Sequence, residues 1–213
     1  MLGKSLKFSK ENILAFSKNS YLYIISLFAV SFLADYVRII LGEANQNASL
    51  VLTLIEVVFT YFVYAVLIKA IFIFQSGVTE QNALRQIGIK FFIYLRVNIV
   101  YTIVFFIGSM LLVVPGLLAL TFFYFAPILV IQKDLYQKSY FRESIKLVKK
   151  APWSVFTISL FSMIVMSLDF AIMPLIKESG FEFLGLFFST SVVVALDIFL
   201  LLAGVRLLEF TQE

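Results

Sequence analysis

The sequence contains neither cysteine nor histidine. Without cysteine there are no disulfides, thiol nucleophiles, thiolate zinc sites or iron–sulfur ligands, and the redox compartment is left open. Without histidine, Ser–His dyads and imidazole proton relays are excluded as well. Charge is also scarce, at 14% of residues where a soluble domain carries nearer about a quarter. No P-loop, GxSxG or HExxH pattern occurs. These absences argue against an enzyme and imply neither a cofactor nor a metal. The formal charge of +4 does not point to nucleic acid, because the lysines and arginines sit mostly beside apolar runs.

What is present is apolar: 62% of 213 residues, with a mean hydropathy of +1.00. Long runs nearly free of charge define an all-α, polytopic membrane protein with a single integral-membrane domain over residues 1–213. Six spans are expected, near residues 21–41, 50–74, 92–113, 117–132, 153–175 and 183–208, arranged as three hairpins. The first is read as a retained span, since no small-residue cleavage site follows it. The fourth is short enough to be tilted or to stop short of full thickness. Val113-Val114-Pro115-Gly116 is expected to make a tight reversal before it, and Pro174 to close the fifth.

Short amphipathic surface helices are expected at residues 5–18, 79–91 and 138–150. In the second, Leu84, Ile87, Phe91 and Leu95 share a face; in the third, Phe141, Ser144, Ile145 and Val148 do. The third has the strongest pattern, with Ser139 as its N-cap and Pro152 as its stop. Its other face carries Lys138, Arg142, Lys146, Lys149 and Lys150. A basic amphipathic helix between apolar spans belongs at the cytoplasmic surface, against anionic lipid headgroups. Lys4 to Lys18, Lys69 to Arg96, Lys133 to Lys150 and Arg206 fall on one side of the six spans. The opposite loops hold only Lys177, with Glu43, Glu178 and Glu182. Both termini are therefore expected in the cytoplasm, with Tyr21 and Trp153 as interface anchors. A surface helix followed by two spans recurs three times, a repeated building plan rather than a demonstrated duplication.

The pattern from Pro115-Gly116 through Phe123-Tyr124-Phe125-Ala126-Pro127 to Ser139 and Ser144–Lys150, with Trp153 after it, resembles one family. These are bacterial six-span membrane proteins of unknown function, related to the membrane domain of some glycerophosphodiester phosphodiesterases. The resemblance covers about residues 79–160 and implies a fold and a bacterial inner-membrane setting. It implies no catalytic residue, because the hydrolase chemistry of those fusions lies in a separate soluble domain.

Ionisable groups inside a membrane are costly, so their spacing is informative. Ser31, Asp35 and Arg38 form one helical stripe, and Thr53, Glu56 and Thr60 a second. Asn98, Thr102 and Ser109 form a third, Ser159, Ser162 and Asp169 a fourth, and Thr190 and Asp197 a fifth. Two readings fit. In one, Arg38 pairs with Asp35 or Glu56 and the rest are hydrogen-bonded packing contacts. In the other, Asp35, Arg38, Glu56, Asp169 and Asp197 line a polar cavity for a cation, a proton or a lipid headgroup. The first suits a non-catalytic protein of membrane assembly, lipid binding or membrane-protein partner binding. The second suits a small proton- or cation-coupled carrier.

Overall fold

The computed structural model describes residues 1–41, 46–77, 83–111, 113–133, 139–178 and 181–213. Among these there is no strand. The helices are α1 (Leu2–Asn19), α2 (Tyr21–Leu41), α3 (Gln46–Gln75), α4 (Gly88–Leu111), α5 (Val113–Phe122), α6 (Ala126–Gln132), α7 (Tyr140–Val148), α8 (Pro152–Glu178) and α9 (Glu182–Gln212).

Five stretches are long and apolar enough to cross a bilayer: Tyr21–Ile40, Asn47–Gln75, Lys90–Leu111, Val114–Gln132 and Glu182–Gln212. They correspond to five of the six expected spans. The remaining one, α8, is a 27-residue helix whose described apolar stretch is Pro152–Val165. It does not close at Pro174 but continues to Glu178.

Helix α9 is the hub, packing against α1, α2, α3, α7 and α8. The main core lies at one end of the bundle. Val63 to Ile71 of α3, Phe125 to Ile131 around α6 and Leu202 to Leu208 of α9 supply most of it. Toward the other end α3 is splayed, with Leu50, Leu54 and Ile55 each more than 60% exposed. A side chain exposed there meets lipid, which costs an apolar group nothing, so burial is concentrated where the helices converge.

Helix α1 departs from the expected surface helix. It packs lengthwise on α9: Phe8 meets Arg206, and Ile13 and Ser17 share a cleft with Val194 and Ile198. Phe28 and Phe32 of α2 continue the same antiparallel line to Phe187 and Phe183. The short polar helix uses its apolar stripe on a neighbouring helix instead of on lipid. The expected helix at 79–91 is not formed as one element. Residues 79–82 lie outside the described residues, Ala83–Ile87 is a turn, and helix begins at Gly88. Leu84, placed on its apolar face, is exposed.

The fourth apolar segment is two helices rather than one tilted span. Pro127 has no N–H to donate to Phe123, and its ring would collide with that carbonyl in a continuous helix. Residues 123–125 therefore form a turn, with Ala126 N–H donating to the Phe123 carbonyl at 2.9 Å. Pro115-Gly116 is not the reversal. Both lie in the first turns of α5, where a proline costs least, and α4 already ends at Leu111, before α5 begins at Val113.

Candidate functional site

The break between α5 and α6 exposes backbone groups that other helices satisfy. Ser144 of α7, fully buried, donates to the Phe122 carbonyl at 2.7 Å and accepts from the Phe125 N–H at 3.2 Å. Tyr101 of α4 donates to the Leu120 carbonyl at 3.1 Å. One hydroxyl thus fixes α7 to the broken segment. Ser139 caps α7, accepting from the Arg142 N–H. Ser144, Leu147 and Val148 face inward, while Arg142, Lys146 and Lys149 stay exposed.

Helix α7 is shorter than the expected 138–150. Lys138 lies outside the described residues, and Lys149 and Lys150 follow the helix. Lys150 is not a free member of the basic face: its ammonium donates to the Thr211 carbonyl at 2.6 Å. Beside it, Gln132 and Gln212 exchange amide hydrogen bonds of 3.0 and 2.7 Å. The ends of α6, α7 and α9 are therefore tied together at the same end as the basic face.

Of the intramembrane candidates, the fold brings three together. Arg38 donates to Asp35 at 2.6 Å and to Thr53 at 3.2 Å, and pairs with Glu56. This joins the first two polar stripes across α2 and α3. Two carboxylates against one guanidinium leave one formal negative charge. Asp197 is elsewhere, accepting from the Tyr64 hydroxyl at 2.6 Å. Glu56 and Tyr64 are eight residues apart on α3, about 12 Å along the axis, so these are two sites rather than one cavity. Asp169 lies on α8, with its side chain outside the described residues.

Asp197 belongs to a hydroxyl-rich layer that the residue stripes announce only in part. Tyr61 reaches Thr102 at 3.4 Å, and Thr121 reaches Ser159 at the same distance. Tyr124 sits against Gly204, where a Cβ would collide with its hydroxyl oxygen. Tyr64, Tyr101 and Tyr124 were not among the polar stripes read from the sequence. Their signal was that a buried tyrosine hydroxyl needs a polar partner. Gly108 was not singled out in the sequence, and Gly116 was read only as a turn residue. A Cβ on Gly108 would lie 3.0 Å from the Gly116 nitrogen, so these glycines let α4 and α5 touch backbone to backbone.

Among the described residues, no three acidic side chains gather as a metal-binding group. The class these features define is a helical, multi-span type of membrane protein with polar contacts buried between its helices. No family model matches the chain, and neither a curated protein nor a solved structure does.

Proposed function

We propose a non-catalytic, multi-pass protein of the inner (plasma) membrane, with six spans in three hairpins and both termini cytoplasmic, that holds anionic lipid at its cytoplasmic face. The observation that carries this reading is α7. Its inner side is locked to the α5–α6 break through Ser144, while Arg142, Lys146 and Lys149 stay exposed. A basic face held at fixed depth attracts anionic headgroups, at about 1 kcal/mol per residue. The carrier reading has less support, because the described carboxylates already have protein partners: Asp35 and Glu56 share Arg38, and Asp197 accepts from Tyr64.

Protein in nanodiscs containing phosphatidylglycerol is expected to melt several degrees higher than in phosphatidylcholine alone. Added salt should shrink that difference by screening. The variant Arg142→Glu/Lys146→Glu/Lys149→Glu is expected to lose it. An identical Tm in both lipids rules the reading out, and a stoichiometric acidic protein on the same face would replace lipid with a partner.

Orientation has its own test, made simple by the absence of native cysteine. A single cysteine at Lys10 or Lys146 is expected to react with an impermeant maleimide only from the cytoplasmic side. One at Glu182 is expected to react only from the opposite side. Labelling of Lys10→Cys and Glu182→Cys from one side contradicts the six-span topology.

A further inference from the structure

We propose that the cleft between α1, α2 and α9 seats one acyl chain of an anionic phospholipid of the cytoplasmic leaflet, with its phosphate at Lys10. This inference rests on the cytoplasmic placement of the N-terminus given above. The cleft measures about 280 Å³ and straddles Ser20, where α1 ends and α2 begins. Ile13 and Ser17 of α1, Ile24 and Phe28 of α2, and Val194 and Ile198 of α9 line it. Ser191 lines it too, but its hydroxyl donates to the Phe187 carbonyl of its own helix at 2.7 Å.

The chemistry of the wall decides what fills it. Water needs several polar partners to occupy a cavity, and this wall is almost wholly apolar. Left empty, the lining would forgo dispersion contacts on one side. Both α2 and α9 contain stretches long and apolar enough to cross a bilayer, so the surrounding medium is hydrocarbon. An acyl chain therefore suits the cleft. Lipid tails are as apolar as the wall, so the chain alone selects no particular lipid. Selection has to come from the headgroup.

Lys10 supplies it. It stands seven residues before Ser17, within about 20° of it on the helical wheel and about 10 Å nearer the start of α1. That end of α1 lies beside Arg206, whose guanidinium is 5.2 Å from the Phe8 ring. The line from Phe28 through Ser17 to Lys10 thus leads from the bilayer interior toward the cytoplasmic surface. Lys4, Lys10 and Lys18 are exposed. Among the described residues, Lys7 is the one lysine of α1 in an ion pair, with Glu11 at 3.7 Å. Four lysines against one glutamate make this helix attractive to an anionic phosphate. An apolar cleft below and an exposed lysine above match a phospholipid end to end. The lysines of α7 take no part.

The test uses phosphatidylglycerol with a diazirine midway along one acyl chain, diluted into phosphatidylcholine nanodiscs that hold the full chain. After irradiation, peptide mass spectrometry is expected to find adducts concentrated at residues 13–28 and 191–198, several-fold denser than on α4. The same diazirine on phosphatidylcholine is expected to label the cleft about five-fold less, the weight of one basic residue at an anionic surface. Lys10→Gln should lower labelling by phosphatidylglycerol by the same factor. Ala195→Phe narrows the cleft from an exposed position, so it is expected to keep the Tm and lose the label. Arg142→Glu/Lys146→Glu/Lys149→Glu is expected to leave the label intact, which separates a failure here from a failure of the α7 reading. Equal label from the two probes, or undiminished label in Lys10→Gln or Ala195→Phe, overturns the proposal and leaves ordinary bilayer lipid in the cleft. No label from either probe overturns it too, with a second copy or another protein covering the cleft.

Discussion

Arg38→Leu is expected to destabilise the protein by about 3–5 kcal/mol, because it strands two carboxylates that are mostly withdrawn from solvent. The Asp35, Glu56 and Arg38 side chains are 13%, 18% and 27% exposed. Thermal melts in detergent should show the loss as a Tm lower by roughly 10 °C. Removing all three charges in Asp35→Leu/Arg38→Leu/Glu56→Leu is expected to recover most of it, since no uncompensated charge remains. Glu56→Gln keeps the Arg38–Asp35 pair and should cost less than Arg38→Leu. A triple variant as unstable as Arg38→Leu would mean that these charges do more than hold α2 to α3. A Glu56→Gln protein that stays folded but loses an ion flux would move the assignment to the carrier reading.

Gly116→Ala comes next in expected effect. The new Cβ would collide with the Ser109 hydroxyl, which can rotate away, and would lie 2.9 Å from the Ser109 backbone nitrogen and 3.0 Å from its Cα, which cannot. Overpacking of this kind costs about 1–3 kcal/mol, occasionally more. Ser109→Ala is not expected to rescue it, because the main-chain collision survives removal of the hydroxyl. Gly185→Ala provides the contrast. Its Cβ meets only the Ile176 side chain, at 3.2 Å, which can shift, so the loss should be smaller. If Gly116→Ala melts with the protein carrying Gly3→Ala, an open position, then α4 and α5 do not make this backbone contact.

Much of the fold was legible because helix formation in a membrane is a local matter. An apolar run of sufficient length must satisfy its own backbone hydrogen bonds, so Tyr21–Leu41 was expected to the residue, and Gln46–Gln75 to within a few. The cap at Ser139 and the burial of Ser144 and Val148 in α7 followed from polar–apolar periodicity in the same way. Leu147, not placed on that face, is buried, whereas Phe141 and Ile145 are half-buried. Where two local signals competed, the weaker reading failed. Pro115-Gly116 has the composition of a turn, yet a proline is also tolerated in the first turn of a helix, and the helix prevailed. Pro127 marked the real interruption, hidden because the residues on both sides are equally apolar.

The candidate site was legible as stripes but not as partnerships. A helical wheel places Asp35 with Arg38, and Thr53 with Glu56, on common faces; it cannot say which face meets which. The sequence by itself determined that this is an all-helical chain of membrane type, which polar residues share a face, and where charge concentrates. Only the tertiary structure decided that Arg38 gathers Asp35 and Glu56 while Asp197 turns to Tyr64, that Ser144 closes the α5–α6 break, and that α1 lies along α9. The physical reason is that face and length follow from the periodicity of one helix, whereas each partnership depends on how two helices pack, through contacts tens of residues apart.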